Sequence, residues 1–127
     1  MIGDALSLEV SPTPQGVRPA RVAVGRQVAG SGRVAQAAVA VLMTSELVSN
    51  AVRLNPRAMR LDLHMDGSTI RIEVCADGVR DRDIDPPPRD RAEELSLAVV
   101  AAYARQWGLQ RSRDGHDVMW LELDGLG

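Results

Sequence analysis

The chain has 127 residues and a formal charge of −2, and its fifteen basic residues are all Arg. That length supports a single domain, 1–127, with a real core, and the acidic balance excludes a general nucleic-acid binder, which would be basic. A single cysteine, Cys75, excludes an internal disulfide and a Cys-rich zinc site. Phe is absent, so the core must be built from Leu, Val, Ile, Met and Ala. Nothing at the N-terminus reads as a signal peptide and no apolar run looks long enough to span a bilayer, so a cytoplasmic protein without membrane contact is expected. No internal repeat is found.

In chain order, Leu6, Leu8 and Val10 alternate with Ser7 and Glu9, which predicts a strand. Ser11-Pro12-Thr13-Pro14 blocks further pairing. Val17, Ala20, Val24 and Val28 recur at helical spacing, Pro19 suits a first turn, and Gly30-Ser31-Gly32 closes the helix. A long apolar helix from Arg33 or Val34 to Arg53 follows and stops before Asn55-Pro56. Arg60–Met65 and Thr69–Ala76 alternate around Asp66-Gly67, which predicts a hairpin. The second strand sets Ile70, Ile72, Val74 and Ala76 inward and Arg71, Glu73 and Cys75 outward. Val79–Asp90 is charged, carries Pro86-Pro87-Pro88 and reads as a loop. A helix is expected from Arg91 to Trp107, capped by Gly108, then a turn at Asp114-Gly115 and a last strand, Val118–Leu123. The order of strand, helix, helix, hairpin, helix, strand predicts an α+β fold. It would be a two-layer sandwich with three helices on one face of a mostly antiparallel sheet.

The long helix ends in Glu46-Leu47-Val48-Ser49-Asn50-Ala51-Val52-Arg53. Glu46, Ser49, Asn50 and Arg53 fall at i, i+3, i+4 and i+7 and share one stripe. An acid and an amide on an otherwise apolar helix either line a cavity or form a solvated stripe. This stretch resembles the first ATP-site motif of the histidine-kinase-like ATPase superfamily, the gyrase, Hsp90, histidine kinase and MutL group. It is most similar to the small anti-sigma-factor and serine-kinase branch abundant in actinobacteria. Val17-Arg18-x-Ala20-Arg21 before an apolar helix, and the closing Trp120-Leu121-Glu122-Leu123, also look like that branch. The resemblance implies ATP and Mg²⁺ as cofactors. It implies Glu46 as the catalytic group acting on the attacking hydroxyl or water, and Asn50 as the Mg²⁺ ligand, with Arg53 beside it in the cofactor site.

The same resemblance implies an adenine-binding Asp and a Gly-x-Gly at the end of the middle strand. Here that strand ends Val74-Cys75-Ala76-Asp77-Gly78-Val79-Arg80. Setting Gly78 on the first Gly puts Ala76 where the Asp belongs and Arg80 on the second Gly. Asp77 then points outward by parity. A bulge would turn it inward, making Asp77 and Gly78 cofactor-binding; otherwise Asp77-Gly78 is a turn. The phosphate-binding Gly-x-Gly would fall at Ala92–Leu97, where Glu94 and Ser96 stand instead. Carboxylates suit a helix N-terminus but repel a triphosphate, at a cost on the order of several kcal/mol near 4 Å and an effective dielectric of about 20. His64, His116 and Cys75 have no ligand-spaced or base partner in the sequence.

The resemblance therefore implies a regulatory protein that controls transcription by holding a protein partner, a sigma factor or an anti-sigma antagonist. Its activity, if present, would be phosphate transfer from ATP to Ser or Thr. The substituted second and third motifs imply weak or absent ATP binding. They also leave open a nucleotide-free scaffold or dimerisation module; members of that family often dimerise. The Val79–Asp90 segment is expected to be a partner-contact or self-association element, or a plain surface connection.

Overall fold

The structure, a computed structural model, describes residues 5–79, 98–112 and 114–124. Strand β1, Ala5–Val10, leads through a 3-10 turn at Pro14–Gly16 into helix α1, Val17–Gly30. Helix α2, Val34–Arg53, precedes the hairpin of β2, Ala58–Asp66, and β3, Thr69–Asp77. A third helix, α3, is described over 98–103, and a second hairpin joins β4, Gln106–Arg111, to β5, Asp117–Asp124. The five strands form one sheet in the order β1-β2-β3-β5-β4, with every neighbouring pair antiparallel. The fold is α+β, with a helical layer on one face of the sheet, as the alternation of the strands predicts.

Period-two patterning fixes which face meets the helices. Ile70 lies opposite Met65 and Leu123, Ile72 between Leu63 and Leu121, and Val74 between Leu61 and Met119. These side chains, Met119 excepted, are at most 3 % exposed, and they share one cluster with Val24 and Val28 of α1, Met43 and Val48 of α2, and Val100 of α3. The outer face is polar. Arg71 bonds Glu73 at 2.7 Å and Glu122 at 2.9 Å and stacks 4.3 Å from the Trp120 ring.

Both ends of α2 are tied to the sheet. Arg33, its N-cap residue, donates to the Gly67 carbonyl at the β2–β3 turn (2.6 Å). At the other end Asn55 takes a left-handed backbone (φ 51°), and the Arg57 amide donates to the Asp77 carbonyl (2.8 Å) as β2 begins. Glu46–Arg53 therefore lies toward the end of the sheet where β3 finishes and β5 starts.

Three expectations change. The helix expected to reach Trp107 ends at 103, because the Arg105 amide donates to the Glu122 carbonyl (2.8 Å) and Gln106–Arg111 pairs along β5. Pairing across the sheet overrides a helical apolar spacing that ended in Tyr103 and Trp107, which are 55 % and 43 % exposed. Gly108 is accordingly no helix cap but a strand residue under Trp120, whose Nε1 would lie 2.7 Å from any added Cβ. Lastly, α2 is long and apolar enough by length and composition to cross a membrane, contrary to expectation. In this fold its inner side, from Ala40 to Ala51, is buried in the core. Positions 80–97, with the charged loop after Val79 and the residues Arg80, Glu94 and Ser96, lie outside the described residues.

Candidate functional site

Helix α2 sets its polar groups at the edge of its buried side. Met43, Leu47, Val48 and Ala51 face the core, and Thr44 is satisfied within the helix by donating to the Ala40 carbonyl (2.8 Å). Asn50 is 8 % exposed, Glu46 and Ser49 are half-buried, and Arg53 is exposed. The stripe seen in the sequence thus runs from the core boundary to solvent, with Asn50 deepest.

The Asn50 side-chain oxygen is engaged. Arg53 donates to it from Nη1 at 2.9 Å, one helical turn away. This is the oxygen that would ligate Mg²⁺ in the implied nucleotide site. A divalent cation there would meet a guanidinium, a repulsion on the order of several kcal/mol at about 4 Å and an effective dielectric near 20. A metal requires Arg53 to swing out into the solvent that it already touches.

The strand end supplies less than the resemblance implies. Ala76, 1 % exposed, occupies the inward position, and no bulge turns Asp77 around. Asp77 is exposed on the outer face and pairs with His116 Nδ1. Gly78 has φ +65° and an added Cβ would meet the Arg57 side chain at 2.9 Å. The Val79 amide donates to the Gly115 carbonyl (3.1 Å). Asp77-Gly78 is therefore a turn locked to the β4–β5 hairpin, and its carboxylate faces away from the helical layer that carries Asn50.

Two arrangements went unread in the sequence. The Asp77–His116 pair joins residues thirty-nine positions apart and forms because β3 ends beside the start of β5. More telling is Asp117, which the β3–β5 register sets directly across from Ala76. It is a carboxylate 1 % exposed on the inward face. An acid thus lies across from the inward alanine of β3, at the end of the sheet approached by the last turns of α2. The signal available in the sequence was the parity of β5, in which Asp117, Met119, Leu121 and Leu123 share one side.

As they stand, the described residues do not fit a Mg²⁺–nucleotide: the amide oxygen is taken, the strand-end carboxylate points outward, and the inward position is an alanine. Among the described residues no three His, Cys, Asp or Glu side chains gather as a cation site. Shallow grooves among the described residues lie instead along α1, lined by Arg18, Val22 and Arg26, and neither contains Glu46 or Asn50. No protein-family model matches the chain, and no characterised protein aligns with it significantly.

Proposed function

We propose that this protein is a regulator that works by holding a protein partner, in the manner of the anti-sigma and serine-kinase-like proteins its α2 motif resembles. A sigma factor or an anti-sigma antagonist is the partner class this reading names, and transcription is what it would control. The observation that carries the reading is the Arg53–Asn50 bond (2.9 Å) within the Glu46–Arg53 motif. The motif resembles a nucleotide site, while the oxygen that would bind the metal there is held by the protein's own cation. Partner binding without turnover fits both the resemblance and the bond.

Calorimetric titration of the full chain with ATP and Mg²⁺ tests it. No saturable binding below millimolar ATP is expected. Mg²⁺-dependent binding in the low micromolar range would overturn the reading and restore a Ser/Thr kinase, with Glu46 as base and Asn50 as metal ligand.

One observation favours a second reading, a dimerisation module that retains only the fold. The edge strand β4 carries Trp107 and Leu109, 43 % and 42 % exposed, beside Tyr103 at 55 %. The stretch Gln106–Gln110 has no charge or proline to discourage edge pairing. Analytical ultracentrifugation separates the readings. A dimer that Leu109→Lys dissociates supports the module, and a monomer at all concentrations rules it out.

A further inference from the structure

The helical layer carries a charge pattern that the nucleotide motif does not use. Residues 10–45 contain four Arg and no Asp or Glu, so the rest of the chain carries −6 within a net charge of −2. Three of those arginines, Arg18, Arg21 and Arg26, stand exposed on α1. They make no ion pair or hydrogen bond among the described residues. Arg18, Val22 and Arg26 follow each other at i, i+4 and i+8 and form one stripe.

That stripe divides two adjoining grooves. One is lined by Gln15, Pro19 and Ala23 on its far side; the other by Arg21, Gly25 and Val41, where α1 meets α2. In the second, Gly25 lets α1 lie close against α2, since an added Cβ would come within 3.0 Å of Val41 Cγ2. Val22, 42 % exposed, is the apolar ridge between them. An apolar floor rimmed by cations with no partner among the described residues, in a shallow groove along a helix, suits an amphipathic helix, whose anchors recur at i, i+3 and i+4. The charge of the rim selects an acidic one.

We propose that this face of α1, with the α1–α2 cleft, docks an acidic amphipathic helix of a protein partner. The inference rests on the reading of the protein as a partner-holding regulator and names the chemistry of the segment held. Carboxylates on the incoming helix would pair with Arg18, Arg21 and Arg26, while its apolar side covers Val22. The arginines need no partner for folding because water hydrates them, and they lose that water only on binding.

The test uses the isotopically labelled full chain and a synthetic helical peptide with Glu on one face and Leu on the other. Amide shifts are expected to cluster on α1 and around Val41, and affinity should fall steeply as salt shortens the screening length to below about 10 Å. The triple variant R18E/R21E/R26E should bind at least about tenfold more weakly, and the same peptide with Lys for Glu should not bind. If circular dichroism shows the triple variant unfolded, Arg21→Gln alone should still weaken binding about threefold. Absence of binding by the native chain, equal binding by the variants, or shifts confined to other elements overturns the proposal. So does tight association with anionic lipid vesicles while the peptide fails to bind. These outcomes bear on the surface alone; the regulatory reading fails separately, through tight Mg²⁺–ATP binding.

Discussion

The last turns of α2 and the outer face of α1 both place polar side chains among valines and alanines, yet they settle their charges in opposite ways. On α2 the buried Asn50 amide accepts from Arg53, so the helix satisfies itself. On α1 the exposed Arg18, Arg21 and Arg26 have no partner among the described residues. A polar group satisfied within its own helix belongs to the fold and has little left for a ligand. An unpaired cation beside an apolar ridge costs the fold little while hydrated, and it keeps its capacity to bind. The more suggestive motif is therefore the less available one.

The contrast between inward and outward surfaces breaks most severely in the core of α2. Met43 is fully buried while its neighbour Leu42 is 38 % exposed. Met43→Ala should destabilise by about 2–5 kcal/mol in urea titrations, whereas Leu42→Ala should stay within about 1 kcal/mol. Similar losses at both positions would mean that α2 is not seated on the sheet as described.

A smaller effect separates the two polar regions directly. Asn50→Ala removes an accepted hydrogen bond and should cost about 1 kcal/mol, because exposed Arg53 can turn to water. Arg21→Ala should change stability by less than about 0.5 kcal/mol. Equal costs would show that the α1 arginines serve folding rather than binding.

Arg53→Ala then asks whether its guanidinium is what keeps the α2 motif from taking Mg²⁺–ATP. Stability should fall by about 1 kcal/mol, because the buried Asn50 oxygen loses its donor. If the guanidinium alone excludes the metal, Mg²⁺–ATP affinity should rise about tenfold or more, which is about 1.4 kcal/mol. Unchanged affinity would move the defect to Ala76 and the outward Asp77.

The smallest expected effect is at Cys75, on the polar face of the sheet. Burial pushes its thiol above the ordinary value, against the pull of the nearby Arg60 guanidinium, with Asp62 and Glu73 adding to the rise. The folded state therefore holds the proton to higher pH than the unfolded chain does. Its contribution to stability is complete below the ordinary thiol pKa and is lost as pH rises through the raised one. Urea midpoints should fall between neutral pH and strongly alkaline pH by more in the native chain than in Cys75→Ala. Identical slopes would refute the shift.

Some regions were legible because local pattern and tertiary pairing agree. Leu61, Leu63 and Met65 face Val74, Ile72 and Ile70 across a turn whose Gly67 takes φ +59°. The alternation, the turn residues and the buried face all lead to one register. At Gln106–Arg111 they conflict. Val99, Val100 and Tyr103 continue a helical spacing to Trp107, but the backbone there finds its partners on β5. Gly108, which in sequence looks like a cap, is needed for the room it leaves to Trp120. No local rule distinguishes those two uses of a glycine.

By itself the sequence determined the α+β class, a helix from Val17 that closes at Gly30-Ser31-Gly32, a long helix from Arg33 or Val34 to Arg53, and the inward and outward sides of β3, while it left the direction of Asp77 to the presence or absence of a bulge. These follow from periodicity and parity, which act over a few residues. Only the tertiary structure decided that His116 takes Asp77, that Asp117 lies across from Ala76, and that three α1 arginines stay unpaired among the described residues. Each of these depends on which groups the strand order and helix packing bring within hydrogen-bonding reach, and that distance is not encoded in spacing along the chain.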